Sequence, residues 1–136
     1  MRDLLTKLRD ERGDITIYSG GALGIDQFWM QVGQFLQIPV VAILPFPGFD
    51  KMWPEDSSLF LQGMLDNCLE VRYTHSEAVG SANPVKSLLD RNQDLVNACD
   101  TMVAYWNGSK SGTEHAVKLT RQAGKKILIF NPDEIT

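Results

Sequence analysis

Ser19-Gly20-Gly21-Ala22-Leu23-Gly24-Ile25-Asp26 follows the apolar run Ile15 to Tyr18 and opens a second apolar-periodic run from Ile25 to Leu36. The order is strand, glycine turn, helix. Three glycines within five residues let the backbone take positive φ and keep side chains away from the peptide N–H groups, and the helix that follows adds the positive end of its dipole. Such a junction suits an anion, most often a phosphate. A tight turn without a ligand needs the same glycines, and the stretch is neither G-x-G-x-x-G nor the Walker P-loop.

Working outward, the chain alternates helical and extended patterns. Leu4, Leu5 and Leu8 give a short helical stripe stopped at Gly13, with no strand before it. Ile25, Phe28, Trp29, Val32, Phe35 and Leu36 recur at spacings of three and four, which predicts a helix whose aromatic residues are mostly core. Pro39 to Leu44 is a continuous apolar run, as in a strand covered on both faces. Pro45 to Asp50 is an aromatic, proline-rich loop, and Pro54, Glu55 and Asp56 start a helix with Leu59, Phe60, Met64 and Leu65 as its expected buried stripe.

Leu69 to Tyr73 alternates like a strand near an edge, and Thr74 to Pro84 has no periodicity and reads as a loop. Val85, Leu88, Leu89, Asn92, Leu95, Val96 and Cys99 keep helical spacing with one polar member, Asn92. A half-buried amide of this kind is usually satisfied by a neighbouring loop, with a ligand contact as the alternative. Thr101 to Trp106 and Ile127 to Phe130 are the last strands, separated by Asn107 to Glu114 and a helix that Gly124 ends. A strand thus runs twice into a Gly/Ser-rich loop and a helix. The pattern predicts one α/β domain over residues 1–136, a three-layer Rossmann-like sandwich with a mainly parallel sheet of about five strands. Ligands of such sheets sit beyond the carboxyl ends of the strands. Ser19 to Gly24, Phe46 to Trp53, Thr74 to Pro84 and Asn107 to Thr113 are the loops expected there.

Bulk properties narrow the class. With 136 residues, 43% apolar, the chain suits one domain. Thirteen basic against 17 acidic residues give a formal charge of -4 and no basic run, which disfavours general nucleic-acid binding. Cys68 and Cys99 lack C-x-x-C spacing, so reduced buried thiols are expected rather than a disulfide or a zinc site. The polar start and the absence of a membrane-length run lead to the expectation of a cytoplasmic protein with no membrane association.

Taken together, the octapeptide from Ser19 to Asp26, Pro45-Phe46 with Trp53 downstream, Arg91-Asn92, Asp100, and Gly108 followed by Ser111-Gly112-Thr113 resemble the SLOG superfamily of Rossmann-like proteins. That superfamily includes the Lonely Guy phosphoribohydrolases and DprA, and the likeness is nearest to the YpsA-like branch. The resemblance implies a pocket for a nucleotide, nucleotide sugar or ADP-ribose-like molecule. Its candidate lining is Ser19, Gly20, Gly21, Ala22, Gly24, Asp26, Phe46, Trp53, Arg91, Asn92, Asn107, Gly108, Ser111, Gly112, Thr113 and Glu114, with Arg91 on a phosphate and Asn92 on a ribose or the opposite loop. No metal or cofactor is expected.

Two departures matter. The family's usual first strand is missing, so a homodimer that completes the pocket is a plausible expectation. Glu114 is also displaced in register from the catalytic glutamates of the hydrolase branch, and each helical residue turns about 100°. Two functions follow as expectations. One is a sensor or sequestering module that captures the ligand. The alternative is a hydrolase or transferase acting on an N-glycosidic bond, as in phosphoribohydrolases or deoxyribosyltransferases, with Glu114 and Asp26 as its catalytic carboxylates.

Overall fold

A computed structural model describes residues 2–21, 25–51, 53–76, 84–105 and 112–130. The order is α1 (Arg2–Arg12), β1 (Ile17–Ser19), α2 (Ile25–Phe35), β2 (Val40–Leu44), α3 (Glu55–Asp66), β3 (Glu70–Tyr73), α4 (Pro84–Ala98), β4 (Thr101–Tyr105), α5 (Gly112–Gln122) and β5 (Lys126–Phe130). Every strand pairing is parallel, so the fold is Rossmann-like α/β as expected. The hydrogen-bonded sheets are smaller than the single five-stranded sheet foreseen. β1, β2 and β3 form one in that order, and β4 pairs with β5 in another. Val103 of β4 nonetheless packs with Ile17 of β1 against the cluster of Leu5, Trp29 and Ile38, so both sheets share a core.

β2 is buried along its whole length. Its side chains alternate between faces, as a pleated strand requires. Val40, Ala42 and Leu44 join Met30 of α2 with Leu61 and Met64 of α3, while Ile43 lines a cavity shared with Asp94, Asn97 and Ala98 of α4. Helices therefore cover both faces of β2, which is why its sequence is an unbroken apolar run. β3 is an edge strand with Glu70, Arg72 and Tyr73 exposed, in line with its alternating pattern.

The helix faces depart from the periodicity in an instructive way. Gly33 lies so close to the sheet that a Cβ there would stand 2.5 Å from Ile17 Cδ1 and 3.1 Å from Val40 Cγ2. This close approach turns Trp29, Met30 and Gly33 inward. Phe28 and Phe35, which the spacing placed in the core, are 56% and 70% exposed. α3 is likewise rotated onto Leu61 and Met64, and Leu59 and Phe60 face outward. Cys68 and Cys99 are half-buried and unpaired with each other. Burial raises both thiols above their ordinary pKa, Cys68 despite its hydrogen bond with Gln34.

α4 is pinned at its carboxyl end by Lys125, whose Nζ donates to the carbonyl oxygens of Val96 at 2.6 Å and Cys99 at 2.7 Å. A cation there satisfies carbonyls that the helix itself leaves unpaired. Among the described residues, no helix is long and apolar enough to cross a membrane.

Leu61 is fully buried between α2, β2 and α3. Leu61→Ala should lower the unfolding free energy by about 2–5 kcal/mol, read as a lower urea midpoint, whereas Phe35→Ala at an exposed position should leave the midpoint nearly unchanged.

Candidate functional site

The described parallel strands β1, β2 and β3 end on one side, where Ser19–Gly21, Pro45–Lys51 and Thr74–Ser76 emerge. Thr74 N donates to Leu44 O at 2.9 Å and His75 N to Pro45 O at 3.0 Å, so the exits of β2 and β3 stay side by side. The turn after β1 is closely specified. Gly21 has φ +67°, and a Cβ there would lie 2.7 Å from Leu44 Cδ2, so conformation and space both demand glycine. Its N–H turns back to Ser19 Oγ at 3.3 Å, and its carbonyl accepts from Gln27 Nε2 at 3.4 Å. Ser19 Oγ in turn donates to the Asp26 carbonyl at 3.1 Å. The turn is therefore fastened to the first turn of α2 by side chains.

Gly20 is needed for a different reason. A Cβ at this position would collide with the guanidinium of Arg91, with Asp26 Oδ2 3.1 Å away on another side. Arg91 is only 6% exposed. Its Nη1 donates to Gly20 O at 2.6 Å and its Nε to Asn92 Oδ1 at 3.1 Å. Burial pushes the guanidinium below its ordinary pKa, and the nearby Asp26 carboxylate opposes that by favouring the cation. Asn92, 7% exposed, continues the chain through Nδ2 to His115 Nδ1 at 3.3 Å. A polar relay thus runs inside the protein from the β1–α2 turn across α4 to the first turns of α5.

Arg91 faces inward from α4, and two of its donors are used within the fold. The Asn92 amide meets side chains of α4 and α5 rather than the neighbouring loop that was expected. His115 and Gln27 were missed by sequence reading. The signal for His115 was its place in the first turns of the second glycine-loop helix, but a lone histidine beside a glutamate gives no hint of a partner 23 positions away.

Asp26 and Thr113 are half-buried at the starts of α2 and α5. Glu114 is also half-buried and pairs with Lys118 at 2.9 Å. Phe46, Phe49 and Trp53 are half-buried. Phe49 and Trp53 pack on the Met30–Leu61–Met64 cluster and meet edge to face with ring centroids 5.3 Å apart. Trp53 therefore closes the core. Gly112 begins α5, while Ala22, Gly24, Asn107, Gly108 and Ser111 lie outside the described residues. Among the described residues, no three His, Cys, Asp or Glu side chains gather as a metal site would require.

At the exit of β3, His75 Nε2 lies 2.9 Å and Lys86 Nζ 3.0 Å from the same Asp90 Oδ2, and Thr74 Oγ1 donates to Asp94 Oδ2 at 2.8 Å. These contacts hold the end of β3 to α4. The hydrogen bond from Lys86, and then that of His75, hold the Asp90 carboxyl below its ordinary pKa.

A family model described as DNA recombination-mediator protein A matches residues 1–136. The chain is also 28% identical over 148 aligned positions to the uncharacterized SPbeta prophage-derived protein YoqJ of Bacillus subtilis, covering 98% of this chain and 84% of that protein.

Gly20→Ala should cost about 1–3 kcal/mol through forced displacement of the Arg91 guanidinium. Gly63→Ala, on the open surface of α3, should instead add about 0.5–1 kcal/mol; urea denaturation of both variants checks the pair. A carboxylate with a depressed folded-state pKa contributes stability above its unfolded pKa and loses it as pH falls through the folded one. Asp90→Asn should accordingly be less stable than the wild type at neutral pH, with the difference in melting temperature closing on acidification through the carboxylate range.

Proposed function

The chain belongs to the DNA recombination-mediator protein A family, and on that premise we propose that it captures a nucleotide-derived ligand, a nucleotide, nucleotide sugar or ADP-ribose-like molecule, at the carboxyl ends of the strands, where the β1–α2 turn and the start of α5 lie. The observation that carries the reading is the buried relay of Gly20 O, Arg91, Asn92 and His115. Burying a guanidinium is costly unless it is well partnered. Here that cost is borne under a glycine turn and beside a helix start, the two places where an anion is stabilised. With Gly21 N–H turned back onto Ser19, the positive potential on this side comes from the α2 dipole and Arg91.

Capture is favoured over chemistry by the state of the two candidate carboxylates. Glu114 is engaged by Lys118, and Asp26 stands beside Arg91. Each has a structural task within the fold. The family's description concerns DNA, but several of the described cations are already engaged within the fold. Lys7 pairs with Glu11, Arg9 is tied to the Leu36 carbonyl and Lys118 pairs with Glu114. A small ligand suits this acidic chain better than a polyanion.

Thermal-shift measurements with AMP, ADP-ribose and NAD test the reading. A ligand at about 100 times its Kd should stabilise the fold by about 2.7 kcal/mol, be recovered intact on chromatography, and bind more weakly to Thr113→Ala. Recovery of free base and ribose phosphate, lost in Glu114→Gln, would replace capture with N-glycoside hydrolysis. Salt-sensitive binding of single-stranded oligonucleotide without any mononucleotide shift would overturn the small-ligand reading.

A further inference from the structure

The relay fixes more than the position of the β1–α2 turn. Arginine has donors and no acceptor, so the Asn92 atom that meets Arg91 Nε must be the carbonyl oxygen. The other end of the Asn92 amide is then its NH2 group, and it faces His115 Nδ1 at 3.3 Å. An NH2 group can only donate, so Nδ1 must accept with its lone pair. A neutral imidazole carrying no proton on Nδ1 carries it on Nε2. The tautomer of a half-buried histidine is thus dictated by an arginine it does not touch, through an amide with one permitted orientation.

His115 Nε2–H has no acceptor among the described residues. The ring belongs to the first turns of α5, and its partner chain leads straight to the Gly20 carbonyl. We propose that His115 is a ligand-positioning residue, which offers a fixed Nε2–H to an acceptor oxygen of the nucleotide-derived ligand. This rests on the capture reading given above. The group recognised is a hydroxyl or carbonyl oxygen of sugar or base rather than the phosphate. Potential for the phosphate is already supplied by Arg91 and the helix dipoles.

Asn92→Asp separates this idea from a purely structural one. Aspartate has nearly the shape of asparagine and still accepts from Arg91, but its second oxygen accepts where the amide donated. The imidazole should respond by moving its proton to Nδ1, leaving Nε2 as an acceptor.

Nitrogen NMR of the histidine rings in the full chain reads the tautomer without any ligand. The wild type should show His115 protonated on Nε2, and Asn92→Asp should show the proton on Nδ1. Calorimetric titration with AMP and ADP-ribose reads the positioning role. Losing one good hydrogen bond should weaken binding about tenfold in His115→Ala and in Asn92→Asp. His115→Gln, whose amide NH2 reaches the place of Nε2, should bind nearly as well as the wild type. Combined with Asn92→Asp, it should restore affinity, because a glutamine donor does not depend on the tautomer.

A wild-type ring protonated on Nδ1 overturns the inference and leaves the capture reading intact. An Nε2–H tautomer with unchanged affinity in His115→Ala overturns the positioning role alone. Failure of the double variant to regain affinity, with the expected tautomers seen, assigns the Asn92→Asp loss to its added charge and also overturns the role. No heat from either probe in the wild type overturns the capture reading, and the positioning role with it.

Discussion

Everything at the carboxyl edge of the strands depends on keeping one guanidinium out of water. Arg91 is nine-tenths buried, and a charge in that position needs partners for its donors and a counter-charge nearby. The chain supplies the Gly20 carbonyl, the Asn92 side chain and the Asp26 carboxylate. Each partner imposes a further requirement. Gly20 has to lack a Cβ, Asn92 has to present its oxygen toward Arg91, and Asp26 has to open α2. One buried cation thereby links three helices and the turn after β1.

The core places the relay rather than competing with it. β2 is covered on both faces, which sets the layer spacing, and Gly33 lets α2 approach until its backbone meets Ile17 and Val40. That approach brings the start of α2 down to the end of β1, where Ser19 reaches the Asp26 carbonyl. On the other face Lys125 holds the end of α4 against the entry to β5. A long helix fixed at its carboxyl end presents residues 91 and 92 at a constant height, so the relay inherits its geometry from packing far from the carboxyl edge of the strands.

The fold was legible because hydrophobic burial writes a regular pattern. Pro39 to Leu44 announced a strand covered on both faces, and the alternation in Leu69 to Tyr73 announced an edge, both as found. Helix rotation was less legible. Spacing placed Phe28, Phe35, Leu59 and Phe60 in the core; in α2 a glycine at position 33 moved the contact line, and nothing in apolar periodicity records how closely a backbone approaches. Division of the strands into two hydrogen-bonded sheets was hidden for the same reason, since strand patterns do not carry pairing. In the site, the need for glycine at 20 and 21 was visible, but its two causes were not. Gly21 is set by φ and by Leu44, whereas Gly20 is set by an arginine 71 positions later. Long-range polar contacts of this kind leave no local signature.

An arginine whose donors are used inside the protein acts on a ligand differently from one that reaches out to it. A contact arginine forms directional bonds and loses them when the ligand leaves, so its side chain is ordered anew at each binding event. Arg91 is already ordered, and its charge acts through the field, which falls slowly with distance and is screened little in a buried setting. The entropy of fixing it has been met in folding. Such a cation raises affinity for any anion near the Gly20 turn without choosing among anions. In the proposed capture, discrimination then falls to groups with direction, and the amide and imidazole at the far end of the relay have it. Separating general attraction from directional recognition, with Arg91 supplying one and constraining the other through Asn92, follows from the hydrogen-bonding capacities of three side chains in a row.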